Sequence, residues 1–179
     1  SNGSMSSTTG GEGEIRKAMT EDDVVEIMIA LPGQLFLNTQ IPVCLWFLTN
    51  DKTKNGRNRK QETLFIDARN LGTMETRNLK VLTDEDIQKI QDTASSWRKG
   101  EGYEDIEGYC KNSTTEEIEK NGFVLTPGRY VGFVEEEDNG LPFEEKIKNL
   151  FTALEKTTKE SSKLDQKIME DIKKTISYE

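Results

Sequence analysis

The sequence predicts an α/β fold: three strands of a partly antiparallel sheet, followed by an α-helical tail that ends in a long helix. Two nearly continuous apolar runs, VVEIMIAL at 24–31 and IPVCLWFLTN at 41–50, indicate strands covered on both faces. A third run, TLFIDA at 63–68, predicts another strand. Apolar residues spaced by three, four or multiples of these along residues 142–177 predict the long helix.

Before the sheet, residues 1–13 are rich in Gly, Ser and Thr and predict a flexible N-terminal segment. Residues 14–22 predict a short helix that leads directly into the first strand. A short polar loop, residues 51–60 with an Asn55-Gly56 turn, separates the second and third strands. So short a loop favours an antiparallel hairpin between those two strands.

After the sheet, Thr83 is the predicted N-cap of a helix that runs to about Trp97. Ser113 and Thr114, followed by two glutamates, predict a second, short helix that ends at Asn121-Gly122. We therefore divide the chain into four segments: an N-terminal segment (1–13), a sheet segment (14–80), a helical and irregular tail (81–141) and the long amphipathic helix (142–179).

Composition and charge exclude several classes of function. Residues 1–80 hold 10 Lys/Arg and 10 Asp/Glu, whereas residues 81–179 hold 14 and 23, so the whole net charge of −9 lies in the second part. An acidic surface of this kind is not expected to surround a nucleic-acid backbone. The absence of histidine excludes a histidine base and a Ser-His triad, and no CxxC spacing predicts a metal site. No apolar run approaches the ~20 residues of a membrane span, so we expect a cytoplasmic protein.

Two loops carry candidate binding residues. The loop between the first two strands places Phe36, Asn38 and Thr39 at a strand end, where α/β sheets bind ligands. The loop between the second and third strands carries five basic residues that are candidates for phosphate contact: Lys52, Lys54, Arg57, Arg59 and Lys60.

Several stretches resemble the C-terminal part of the modification (methyltransferase) subunit of Type I restriction–modification systems. They include GEGEIRKAM (11–19), LPGQLFLNTQIPVCLWFLTN (31–50), LFIDARNLG (64–72) and FVLTPGRYVG (123–132). The resemblance implies the end of a Rossmann-like methyltransferase sheet and N6 methylation of adenine in DNA, with S-adenosylmethionine as the donor. It also implies assembly with a specificity subunit and with a motor/nuclease subunit.

In this family, the loop that corresponds to 32–40 supplies an aromatic residue that stacks on the extruded adenine. Phe36 is the candidate for that role, with a core Phe beneath the loop as the alternative. Asn38 and Thr39 would hydrogen-bond the base or the backbone, or else cap the loop locally. The five basic residues would touch phosphates, or else form a solvated turn.

Two family motifs are missing from the sequence. No FxGxG motif follows a strand, and prolines occur only at positions 32, 42, 127 and 142, so no Asn-Pro-Pro motif exists. We therefore assign no catalytic residue and expect this chain alone to be inactive and not to bind S-adenosylmethionine. A stand-alone protein-interaction or DNA-binding module is the alternative. An unpaired sheet edge and the amphipathic helix also predict self-association or pairing with another subunit.

Overall fold

The computed structural model describes residues 2–133 and 142–176, which belong to two separate compact units, 1–134 and 135–179. Among the described residues, the first unit contains a sheet with helices, and the second contains one helix. The strands are β1 (Val25–Ala30), β2 (Cys44–Leu48), β3 (Glu62–Asp67), β4 (Thr73–Met74), β5 (Lys80–Val81) and β6 (Cys110–Thr114). The helices are α1 (Glu12–Glu21), α2 (Asp84–Lys99), α3 (Thr115–Lys120) and α4 (Phe143–Ile176).

The main sheet is mixed and has the strand order β2-β1-β3-β6. β1 and β3 are parallel, with Ala30 beside Asp67, while β2 and β6 are antiparallel to their neighbours. The hairpin predicted between β2 and β3 is therefore wrong, because β1 lies between them. β1 is buried along its whole length, and it gains a hydrogen-bonded neighbour on each edge in this arrangement.

Two other predictions about the strands need correction. β2 is half exposed and lies at the sheet edge, so its apolar run does not mark a strand covered on both faces. β6, with the polar sequence CKNST, was not predicted at all, yet it pairs with β3. The sheet thus includes residues on both sides of the predicted boundary near residue 80, and that boundary stays a prediction.

Apolar clusters cover both faces of the sheet. Successive residues of β1 alternate between them: Met28 and Ala30 belong to one cluster, and Ile27 and Ile29 to the other. On the first face, Tyr130 stacks on Phe65 with ring centroids 3.8 Å apart and donates a hydrogen bond to the carbonyl of Val124. Trp97 of α2 is buried on the second face. The segment that follows α3 thus packs onto the sheet itself.

The helices agree with the sequence predictions. Thr83 and Asp86 form a capping box at the start of α2, and Gly100, with φ 77°, ends it. Thr114 caps α3 through its side chain. In α4 the apolar side chains along the stripe are exposed: Phe143, Ile147, Leu150, Phe151, Leu154, Leu164, Ile168, Met169 and Ile172. Within the described residues, no helix combines the length and apolarity that crossing a bilayer requires.

Candidate functional site

A narrow loop, residues 31–43, leaves the carboxyl end of β1 and returns as β2. Its two arms are held together where the backbone N–H of Leu31 donates to the carbonyl of Val43 at 2.9 Å. Further out, a Cβ on Gly33 would lie only 2.6 Å from the carbonyl oxygen of Gln40, so glycine permits the arms to touch. The arms therefore close at these two levels, and the residues of the tip, 36–38, are exposed.

The tip of this loop exposes the candidate aromatic residue. Phe36 is 52% exposed and bridges to Thr39 through the backbone, so it is not a core residue beneath the loop. The Thr39 hydroxyl accepts a hydrogen bond from the backbone N–H of Ile41 at 3.2 Å, which is local loop capping. Asn38 is exposed beside Phe36. Phe36 and Asn38 are therefore accessible to a ligand, whereas Thr39 is partly engaged.

The base of the loop is attached to a second element. The backbone N–H of Lys80, in β5, donates to the carbonyl of Gln34 at 2.8 Å. Gln34 adopts a left-handed conformation there, with φ 63°. Leu35 packs against the apolar cluster of the second face. These contacts fix the loop up to the residue before Phe36.

The predicted phosphate-contact loop, residues 51–60, lies at the amino end of β1, whereas the Phe36 loop lies at its carboxyl end. Leu48 pairs with Val25, so the segment after β2 begins beside the amino end of β1. A six-residue strand spans roughly 20 Å. The structure therefore does not bring the basic loop together with Phe36, Asn38 and Thr39.

Two of the five basic residues are buried, which corrects their assignment as phosphate contacts. Lys52 is 3% exposed, and its ammonium group donates to the Asp23 carboxylate at 2.6 Å and to the Glu62 carbonyl at 2.7 Å. Arg59 is 1% exposed and pairs with Glu26 at 3.1 Å. Burial of both charges behind these partners leaves them unable to meet a phosphate without unfolding the loop.

Arg57 is also committed to contacts within the chain. Its guanidinium binds the Glu62 carboxylate through both terminal nitrogens, at 3.0 and 2.5 Å. It also lies 5.4 Å from the centroid of the Trp97 ring, with Arg59 at 5.7 Å. Only Lys54, with 74% of its side chain exposed, and the exposed Lys60 face solvent.

Glu26 pairs with two arginines at the amino end of β1, and the sequence analysis did not identify it. Its carboxylate lies in β1 and receives Arg59 as well as Arg98 of α2, the latter at 3.1 and 2.7 Å. Burial alone raises the pKa of Glu26, but the hydrogen bonds and charges of Arg98 and Arg59 hold that pKa below its usual value. A lone carboxylate inside the apolar run VVEIMIAL was the available signal, since a buried charge requires a partner.

Among the described residues, no cluster of three or more Cys, Asp or Glu could hold a metal ion. Burial raises the pKa of the Cys110 thiol, which disfavours the nucleophilic thiolate.

Comparison with known families is decisive for the assignment. The family model described as N-6 DNA Methylase matches residues 1–139. The chain belongs to the N-6 DNA methylase family. Within that family it is similar to Type I restriction enzyme methylase subunits. It is 52% identical over 171 residues to the HindI methylase subunit of Haemophilus influenzae, covering 96% of this chain and 38% of that protein.

Other members of the N-6 DNA methylase family agree. The MjaIX methylase subunit of Methanocaldococcus jannaschii is 45% identical over 161 residues, which cover 89% of this chain and 28% of that protein. The crystal structure of a Type I methyltransferase subunit from Streptococcus thermophilus superimposes with a TM-score of 0.60 at 31% identity, over 73% of this chain and 25% of that one. This family member thus spans well under half the length of each of these relatives.

Proposed function

We propose that this chain forms one wall of the target-adenine pocket of a Type I DNA methylase subunit. The complete subunit would transfer a methyl group from S-adenosylmethionine to N6 of adenine in DNA. The main sheet would be the end of its Rossmann-like catalytic sheet. The observation that carries the proposal is the exposed Phe36 at the tip of a loop fixed to the carboxyl end of a buried strand.

The proposed role of Phe36 follows from the energetics of base extrusion. A base that leaves the DNA stack loses the neighbours on both of its faces, and an aromatic ring restores one of them. Stacking of a base on an aromatic side chain contributes about 1–3 kcal/mol. Phe36 can supply this contact without rearrangement, because its ring is already exposed and its loop is held at the base by Leu31 and Gln34. Asn38 would add a hydrogen bond to the base or its sugar.

The donor site and the residues that polarise the adenine amine would lie in another part of the complete subunit. The sequence has no Asn-Pro-Pro motif, and the part of the chain that the structure describes has no Gly-rich turn between a strand and a helix. We therefore propose that this chain alone neither binds S-adenosylmethionine nor methylates DNA. Isothermal titration of the chain with S-adenosylmethionine should show no saturable heat, and a saturable signal would overturn this placement of the donor site.

The partners would be DNA, a specificity subunit and a motor/nuclease subunit. The exposed apolar stripe of α4, defined above, is the proposed assembly surface. In the isolated chain, this stripe and the exposed Leu45 and Phe47 of β2 would favour self-association. A strict monomer by light scattering at high concentration would contradict that part of the proposal. The phosphate role of Lys54 and Lys60 stays a prediction.

The experiment uses the complete methylase that contains this chain, with the variants Phe36→Ala, Phe36→Leu and Phe36→Tyr. DNA carrying 2-aminopurine at the target adenine reports extrusion by its fluorescence. We expect Phe36→Ala and Phe36→Leu to lower the fluorescence gain. Both variants should also lower kcat/KM, by about 10- to 100-fold. Phe36→Tyr should retain both, because it keeps the aromatic face. If Phe36→Leu behaves like the native protein, apolar bulk suffices and the stacking role is wrong.

A further inference from the structure

We infer that Arg69 is a phosphate-binding residue for the DNA backbone next to the extruded adenine, and that Asp67 positions it. The inference rests on the proposed function, since it assigns a contact at the same edge of the sheet as Phe36. The principal phosphate contact would then lie at the carboxyl ends of β1 and β3, and not in the basic loop, residues 51–60.

The position of Arg69 follows from the parallel pairing of β1 and β3. Ala30 and Asp67 end these strands side by side, and the backbone N–H of Ala68 donates to the carbonyl of Ala30 at 2.8 Å. The chain then continues from one strand into the Phe36 loop and from the other into Arg69. Phe36 is six residues beyond Ala30, so it lies within roughly 22 Å of this point at full extension. That distance covers the phosphates of a few nucleotides around the extruded base.

The Arg69 guanidinium is held on one side by a carboxylate. Nε donates to both Asp67 carboxylate oxygens, at 2.8 and 3.0 Å, and Nη2 donates to one of them at 2.5 Å. The Asp67 carboxylate also accepts the backbone N–H of Arg69 at 3.2 Å. The hydrogen bonds that Arg69 donates to Asp67 raise the pKa of Arg69.

The other side of the guanidinium is available. Among the described residues, no acceptor receives a hydrogen bond from Nη1 of Arg69, and 51% of the side chain is exposed. By contrast, the buried Arg16 donates to the carbonyls of Ser4, Ser7 and Phe123. A guanidinium whose remaining donors face solvent is suited to bind phosphate oxygens.

A turn from the tail restricts Arg69 further. A Cβ on Gly128 would lie 2.7 Å from Nη2 of Arg69 and 3.2 Å from the Asp67 carboxylate. The helical turn Pro127–Arg129 therefore lies close against the ion pair, and a larger residue at position 128 would displace the end of the Arg69 side chain. An arginine already held by Asp67 and this turn loses less side-chain freedom when it binds an anion.

The test measures DNA affinity of the complete methylase as a function of salt concentration. We expect Arg69→Gln to reduce the slope of log K against log salt by about 0.9, the value for one lost phosphate contact. Arg69→Lys should keep the slope and lose part of the affinity. Lys17→Gln is the matched control, because Lys17 is an exposed residue of α1 and should leave the slope unchanged.

Asp67→Asn separates positioning from simple electrostatics. Removing a negative charge near DNA would tighten binding if Asp67 acted only through its charge. We expect weaker binding instead, because a neutral amide at this position cannot hold the guanidinium with two charged oxygens. Tighter binding in this variant would overturn the positioning role of Asp67.

The Phe36 variants distinguish failure of this inference from failure of the proposed function. If Arg69→Gln leaves the salt slope unchanged while Phe36→Leu abolishes base extrusion, the phosphate site is wrong and the proposed function stands. If Arg69→Gln changes the slope while Phe36→Leu has no effect, DNA binds at this edge without base stacking on Phe36. Melting temperatures of all variants must match the native value, and Arg69→Lys remains informative if Arg69→Gln is unstable.

Discussion

The loops at the two ends of the parallel strands β1 and β3 differ in how much of their sequence is available to a ligand. We call these two ends of the sheet the amino edge and the carboxyl edge. At the amino edge, the loop 51–60 carries five basic residues, but Lys52, Arg57 and Arg59 are bound to carboxylates of the chain. At the carboxyl edge, the loop 31–43 carries no charge at all, yet its aromatic tip is exposed. The loop with more charged residues therefore offers fewer of its side chains to a ligand.

The difference arises from what each loop must connect. The basic loop joins β2 to β3 across the amino end of the buried β1, and it closes against the last residues of α2, where the N–H of Arg57 donates to the Arg98 carbonyl. Its cations neutralise Glu26, Asp23 and Glu62 at this junction. The Phe36 loop is held by backbone hydrogen bonds between its arms and to β5, so the side chains at its tip, residues 36–38, remain exposed. Charge density along a sequence does not report which partners lie across the fold.

The largest effect should come from Glu26→Gln, which removes the shared carboxylate of Arg59 and Arg98. We expect the free energy of unfolding to fall by about 3 kcal/mol, because one partner of a buried ion pair is lost and Arg59 stays buried without its counter-charge. Urea denaturation of the chain measures this change. Glu119→Gln, on the exposed side of α3, is the matched control and should change stability by less than about 0.5 kcal/mol. Equal effects of the two variants would show that the network at the amino edge does not stabilise the fold.

A smaller effect should separate two lysines of the same loop. Lys52→Met should cost about 2 kcal/mol of stability, since the hydrogen bonds from its ammonium group to Asp23 and to the Glu62 carbonyl are lost. Lys54→Gln should leave stability nearly unchanged, because its pair with Asp51 at 3.2 Å is exposed. Urea denaturation compares the two. The contrast between buried and exposed cations in this loop fails if Lys54→Gln is as destabilising as Lys52→Met.

Sequence reasoning succeeded where local chemistry decides the structure. The Thr83 cap and the spacing of α4 each act within a few residues of the chain. The position of Phe36 after a buried strand followed from the same kind of pattern. The role of that residue still depends on a ligand that the sequence does not specify.

Sequence reasoning failed where the structure depends on pairing between segments that are distant in the chain. β6 is too polar to suggest a strand, yet it pairs with β3 from Glu62–Thr114 to Ile66–Cys110. The edge position of β2 could not be inferred from CLWFL, since edge and central strands share this composition. Lys52 and Arg59 looked solvated because their partners Asp23 and Glu26 lie far earlier in the chain.

The smallest effect on stability should come from Gly33→Ala at the base of the Phe36 loop. The added Cβ would lie 2.6 Å from the Gln40 carbonyl oxygen, so the two arms must separate by several tenths of an ångström. We expect a loss of stability of about 1 kcal/mol together with reduced extrusion of 2-aminopurine, because the tip is no longer held in place. Gly13→Ala is the matched control: its Cβ has ordinary contacts at 3.6 Å or more, and alanine favours the helix by up to about 1 kcal/mol. If Gly33→Ala leaves base extrusion intact, the closure of the arms does not position Phe36. The comparison between the two loops would then rest on the exposure of the Phe36 ring alone.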